Sequence, residues 1–230
     1  MKTMNVNPSE EKKIAALEAV SYIKNGMQVG LGTGSTAFYM IEALGDKIKN
    51  GLDIKAVATS VETEKHAKKL GIPIISLAAA KRLDVTIDGA DEVDDHMQLI
   101  KGGGGALLRE KIVAHNTSFN IIIADSSKRV SKLGKFKLPL ETIPFATQLI
   151  LQELEKMGLH PKQRMNGSEA YRTDENNDIV DVDIWDSTLQ LTELEQKLKQ
   201  IPGIVETGLF LDSTQLVLIG KGTEVLAEKR

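Results

Sequence analysis

The stretch MQVGLGTGSTAFYMIEALGDKI, residues 27–48, decides the fold. Its opening, MQVGLG (27–32), is a short apolar run with the length of a buried strand. Its close, STAFYMIEALGDKI (35–48), has helical apolar spacing, with Gly34 or Ser35 at the N-cap position. A glycine-rich junction therefore carries a buried strand into a helix. Repeated along a chain, that unit builds a mainly parallel sheet covered by helices on both faces.

Outward from this segment the alternation continues. Residues 8–24 place Ile14, Ala16, Leu17, Val20 and Ile23 near a 3.6-residue spacing, with Pro8-Ser9 at the start and Asn25-Gly26 at the end. Strands are expected at 53–59, 72–77, 83–88 and 119–125, and helices at 61–71 and 105–115. After residue 133 the order becomes strand (137–144), helix (145–158), strand (160–166), strand (178–185), helix (187–200), strand (203–210). That is the β-α-β-β-α-β ferredoxin-like unit. A last apolar strand, 214–220, returns to the first sheet. The expectation is an α/β fold with a Rossmann-like sheet, in which a large domain (1–132 and 211–230) is interrupted by a small ferredoxin-like α+β domain (133–210).

Composition narrows the function. The 230 residues are 41% hydrophobic and 27% charged, with a net charge of -3. There is no cysteine, which excludes disulfides, thiolate zinc sites and cysteine nucleophiles. No apolar run approaches the roughly 18 residues of a membrane span. The opening MKTMNVNPSEEKK is polar and lacks the apolar core of a signal peptide. Near-neutral charge and 4% aromatics argue against nucleic-acid binding. A cytoplasmic protein with a small-molecule ligand, and no nucleic-acid or membrane partner, is expected.

Three segments carry candidate chemistry. In GLGTGSTA (30–37), small residues at a strand-to-helix junction let a phosphate reach N–H groups at a positive helix end, and Thr33, Ser35 and Thr36 add hydroxyls. The loop is not a dinucleotide fingerprint, since Ser35 stands where the third glycine is needed, and no G-K-[ST] makes it a P-loop. In DGADEVDD (88–95), Asp88 and Asp91 follow a strand, where an α/β sheet forms its ligand crevice, and suit hydroxyl recognition or proton transfer. The plainer reading, a solvated acidic turn, covers Asp94 and Asp95. In KGGGGALLRE (101–110), four glycines open a helix bearing Glu110, a costly run whose use is close approach of backbone to a ligand. Lys128, after FNIIIAD, offers a cation to the same crevice or stands as an ordinary surface lysine. The four histidines have no ligand spacing, DENNDIVDVD (174–183) lacks the glycine and glutamate of a calcium loop, and no G-x-S-x-G elbow exists.

Together, GLGTGSTA, TIDGADEVD, KGGGGALLREKI, IADSSK and LGKFKLPLETIP resemble the type A family of ribose-5-phosphate isomerases, from about residue 10 to 220. The resemblance implies interconversion of D-ribose 5-phosphate and D-ribulose 5-phosphate in the non-oxidative pentose phosphate pathway, through a cis-enediolate, without metal or cofactor. It implies a homodimer or higher homo-oligomer. By position, Glu110 matches the catalytic base, Asp88 and Asp91 the sugar-binding pair of the D-G-A-D block with Gly89 and Ala90, and Lys101 with Gly102, Gly103 and Gly104 the substrate loop. Thr33, Gly34, Ser35 and Thr36 match the phosphate loop, Lys128 a substrate-contacting lysine, and Lys12 a further phosphate contact. Gly105 departs from the pattern, which commonly has alanine there, and the 174–178 hairpin lacks a turn glycine. The alternatives are a related sugar-phosphate deaminase or lactonase, and a non-catalytic sugar-phosphate-binding regulator.

Overall fold

The computed structural model describes residues 7–230; residues 1–6, the start of the polar segment read above, lie outside the described residues. In chain order the elements begin α1 (Pro8–Val20), β1 (Gln28–Leu31), α2 (Ser35–Lys49), β2 (Lys55–Ala58), α3 (Val61–Lys69) and β3 (Val85–Gly89). Next come β4 (Glu92–Val93), β5 (Leu99–Ile100), α4 (Leu107–His115), β6 (Asn120–Asp125) and a 3-10 turn at Ser126–Lys128. The small-strand region holds β7 (Leu138–Thr142), α5 (Thr147–Lys156), β8 (Lys162–Gln163), β9 (Met165–Asn166), β10 (Glu169–Ala170) and β11 (Asp178–Val182). The chain closes with α6 (Leu191–Lys199), β12 (Ile204–Thr207), β13 (Leu209–Phe210), β14 (Leu216–Lys221) and β15 (Glu224–Lys229).

The chain divides into two compact units. The first holds residues up to Ala90, Arg109–Arg129 and Ser213–Arg230; the second holds Asp91–Leu108 and Val130–Asp212. The sequence placed 91–108 with the large domain. It folds with the second unit because β5 pairs on one side with β4 and on the other with β13.

In the first unit six strands form one sheet in the order β15-β14-β6-β3-β1-β2, all parallel except the β14–β15 pair. Successive strand residues face opposite sides. Ala56 packs in a core with Ala16, Val20, Met40, Leu44 and Ala67 of α1, α2 and α3, while its neighbour Val57 packs against Val113 of α4. Helices therefore cover both faces. Helix starts follow their caps: Asn7 accepts from the N–H of Ser9 at 3.1 Å before Pro8, and Ser60 accepts from Thr63 at 3.0 Å. α1 ends at Val20 rather than Lys24, where Ser21 Oγ bonds back to Glu18 O at 2.6 Å.

The 72–77 segment is no full strand. Only Ile74 bridges to Ala56, because Ser76 and Leu77 begin a turn that Ala79 and Ala80 close. Conversely, the polar EVLAEK of β15 pairs along its whole length with β14, as an exposed edge.

In the second unit β7, α5, β8, β11, α6 and β12 follow the expected β-α-β-β-α-β order, and four strands form an antiparallel sheet ordered β12-β7-β11-β8. Leu138, Leu140, Ile150, Leu154, Val180 and Leu198 are its fully buried core. The hairpin before β11 turns on Asn176 at φ 61°, where a short polar side chain tolerates the left-handed region and replaces the missing glycine.

Candidate active site

Strand order marks a candidate ligand position in the first unit. From β1 the chain passes to β2 on one side, then to β3 on the other, so the order reverses between β1 and β3. Ligands of open α/β sheets bind beyond the carboxyl ends at such a reversal. The loop after β1 and Asp88 near the end of β3 flank this point.

Their packing is direct. Asp88 is buried, and its Oδ1 accepts from the N–H of Thr33 at 3.1 Å and of Gly89 at 2.7 Å. A Cβ on Gly32 would stand 2.1 Å from Asp88 Oδ1 and 2.5 Å from its Cα. Only glycine allows the loop this close. Thr33 Oγ1 meets the hydroxyls of Thr59 (2.7 Å), Ser60 (2.9 Å) and Thr63 (3.3 Å), while Thr63 Oγ1 donates to Gly32 O at 2.9 Å. The Thr33 side chain thus faces a hydroxyl cluster at the end of β2.

Gly34 caps α2 without a side chain, and Ser35 Oγ accepts from Lys12 Nζ at 3.1 Å. A cavity of about 660 Å³ opens there, with Lys12, Gly34, Ser35, Lys65 and Lys69 on its wall. A helix N-terminus beside cations attracts oxyanions. Lys12 Nζ also lies 3.9 Å from Asp125, whose carboxylate accepts from Ser127 N at 3.0 Å and so starts the turn that carries the half-buried Lys128. Glu11 sets the other side of that turn. Its Oε2 accepts from Ser126 N (3.0 Å) and Oγ (2.7 Å), and its Oε1 from Gly222 N (2.6 Å). No sequence motif pointed to Glu11, because its partners are 115 and 211 residues away.

Glu110 is buried in the first turn of α4. Further along this helix Ala114 O accepts from Asn120 Nδ2 at 3.0 Å, which ties it to the start of β6, and Val113 O accepts from Thr117 Oγ1 at 2.6 Å just past the helix end.

In the second unit Asp91 donates its N–H to Ile100 O at 2.9 Å, and its Oδ2 accepts from Gly103 N at 2.7 Å. Lys101 is 3% exposed, its Nζ 5.4 Å from the centroid of the Phe210 ring. Burying an ammonium is costly, and an aromatic face offsets part of that cost. Asp94, read as solvated, is buried instead: its Oδ1 accepts from the N–H groups of His96 and Gln98, both at 2.9 Å. Glu141 is also buried, and accepts from Thr173, Asn177 and the N–H of Leu108 at the start of α4; burial holds its carboxyl above the ordinary value despite these donors. Among the described residues, no three His, Asp or Glu side chains form a group that could hold a metal ion, and no helix is long and apolar enough to cross a membrane.

Residues 55–224 match the family described as ribose 5-phosphate isomerase A (phosphoriboisomerase A). A protein of Sphingopyxis alaskensis named ribose-5-phosphate isomerase A is 47% identical over 96% of each chain, and one of Listeria monocytogenes with the same name is 50% identical over 92% of this chain and 94% of its own. Among solved structures, ribose 5-phosphate isomerase A of Methanocaldococcus jannaschii superposes with a TM-score of 0.90 at 38% identity, over 95% of this chain and 98% of its own. A D-ribose-5-phosphate isomerase in complex with phospho-erythronic acid superposes at 0.93 and 39%, over 97% and 100%.

Proposed function

The chain belongs to the ribose 5-phosphate isomerase A family, and on that premise we propose how its residues interconvert D-ribose 5-phosphate and D-ribulose 5-phosphate. Relatives matched over nearly their whole length carry the isomerase name, which disfavours a deaminase, a lactonase or a non-catalytic regulator.

The reaction moves a proton between C1 and C2 through a cis-enediolate. Both carbons of that planar intermediate share one face, so one carboxylate can remove the proton from one and return it to the other. Glu110 is that base. As C2 loses its proton, charge develops on O1; a proton then passes from O2 to O1 as C1 is protonated. Lys101 and an N–H of the glycine run after it stabilise the oxyanion. Asp88, Asp91, Gly89 and Ala90 hold the sugar hydroxyls, and an Asp carboxylate assists ring opening. The phosphate rests on the start of α2 at Gly34, Ser35 and Thr36, with Lys12 and Lys128 as cations. Thr33 shapes the loop through its N–H and hydroxyl bonds. The remote phosphate supplies binding energy that orients the reacting carbons.

The observation that carries this reading is the 3.1 Å bond from Thr33 N–H to Asp88. It ties the phosphate loop to a sugar-binding carboxylate at the strand-order reversal. The test is a coupled assay of wild type and Asp88→Asn. The variant should fold and lose most turnover; full turnover would remove Asp88 from the machinery. The same reading takes the protein as cytoplasmic and as a homodimer or higher homo-oligomer. Light scattering tests the assembly: a monomer at working concentration contradicts it.

A further inference from the structure

Four consecutive glycines are expensive to order, so something must hold 102–105 in one shape. In the second unit two side chains from the hairpin region take three successive carbonyls. Arg164 Nη1 donates to Gly102 O and to Gly103 O, both at 3.0 Å, and Tyr171 OH donates to Gly104 O at 3.0 Å. Arg164 is itself fixed: its Nε and Nη2 grip the Asp181 carboxylate at 2.9 and 2.5 Å, and its backbone O accepts from Tyr171 N at 2.9 Å. The guanidinium carbon lies 5.8 Å from the centre of the Tyr171 ring. Such a bidentate, stacked arginine has little freedom left.

The carbonyl pinning decides where the N–H groups go, because in a trans peptide the N–H points opposite the C=O. Gly103 N–H is used by Asp91 at 2.7 Å, and Gly105 N–H by Gly102 O at 2.9 Å. Gly104 N–H shares its peptide with the Gly103 carbonyl that Arg164 holds, and Gly104 is exposed. We propose that Arg164 and Tyr171 are positioning residues: they clamp the glycine run so that the Gly104 N–H is presented to the oxyanion of the reacting sugar. Gly105 belongs to the same device. It sits at φ 77°, and a Cβ there would stand 2.3 Å from Tyr171 OH. The space that alanine would take is occupied by the clamp.

The inference rests on the assignment of the glycine run to the substrate, so the test separates the two. Wild type, Arg164→Met and the isosteric Tyr171→Phe are assayed for kcat and KM, and for inhibition by phosphoerythronic acid and by inorganic phosphate. The carboxylate of the acid stands in for the enediolate oxygens, and inorganic phosphate probes the α2 end alone. Misplacing one oxyanion donor costs about 10²-fold in kcat, expected for Arg164→Met; losing one neutral hydrogen bond costs about tenfold, expected for Tyr171→Phe. Affinity for the acid should fall by the same factors, with phosphate inhibition unchanged. If kcat and acid affinity in both variants stay within about twofold of wild type, the clamp is overturned while the isomerase reading stands. If acid and phosphate weaken equally, the residues are merely structural and the clamp is again overturned. A wild type that does not turn over ribose 5-phosphate overturns both.

Discussion

Glu11 shows how one residue can matter without touching substrate. Burial opposes ionisation of its carboxyl, but the donors of Gly222 and Ser126 outweigh that and hold it below its ordinary value. A depressed acid contributes stability above its unfolded pKa, near 4.5, and that stability is lost as pH falls through the lower folded value. Glu11→Gln keeps one acceptor oxygen but turns an NH2 toward the other of its two donor sets, at Ser126 or Gly222, which costs about 1–3 kcal/mol at pH 7. Denaturant titrations of both proteins should show that gap closing below pH 4.5; a gap independent of pH would mean the carboxylate charge is irrelevant. At this scale the sequence offered candidates most readily where titratable residues stand in short motifs. Asp88, Asp91, Lys101 and Glu110 all stood out beside glycine blocks. Glu11, Arg164 and Tyr171 did not, because each acts through partners distant in sequence and looks alone like an ordinary surface residue. Gly105 was visible only as a departure, and Tyr171 is its reason.

The proposed phosphate site depends on the β1–loop–α2 unit. Its strand and helix were readable from run length and spacing, but the reason for Gly32 was not, since it lies in the contact with β3. Gly32→Ala forces a methyl into Asp88. Overpacking of this kind costs about 1–3 kcal/mol, and displacing Asp88 should lower kcat/KM by about 10²-fold. Thermal unfolding together with the coupled assay checks both; an alanine variant with normal activity would show that the contact relaxes freely. Other elements escaped the sequence for physical reasons. β4, β5 and β13 have two residues each, too short for any period to register. IPIISL has the composition of a strand, yet the turn at Ser76 ends it after one bridge. β15 is polar because it is an edge, so no apolar run announces it.

At the scale of the whole molecule, the parallel sheet with helices on both faces and the β-α-β-β-α-β order were readable, since both follow from the succession of long elements. The allocation of 91–108 to the second unit was not, because two-residue strands decide it. Two outcomes belong to the protein as a whole. In the proposed cradle two charge-assisted bonds to the phosphate are together worth about 3–6 kcal/mol, so ribose 5-phosphate should exceed ribose in kcat/KM by about 10²–10⁴; equal values would discard the phosphate cradle. Activity should also survive exhaustive chelation, because the proposed mechanism moves the proton on the Glu110 carboxylate and meets the oxyanion with Lys101 and a glycine N–H; a loss restored only by a divalent ion would require another mechanism. The central claim, that one carboxylate carries the proton between C1 and C2, is tested most directly by measuring ribose 5-phosphate turnover in wild type and Glu110→Gln, with inorganic phosphate inhibition as a check on the intact site. Removing a general base should cost about 10²–10⁴ in kcat while phosphate inhibition is unchanged; a folded Gln variant with near wild-type kcat would contradict the account.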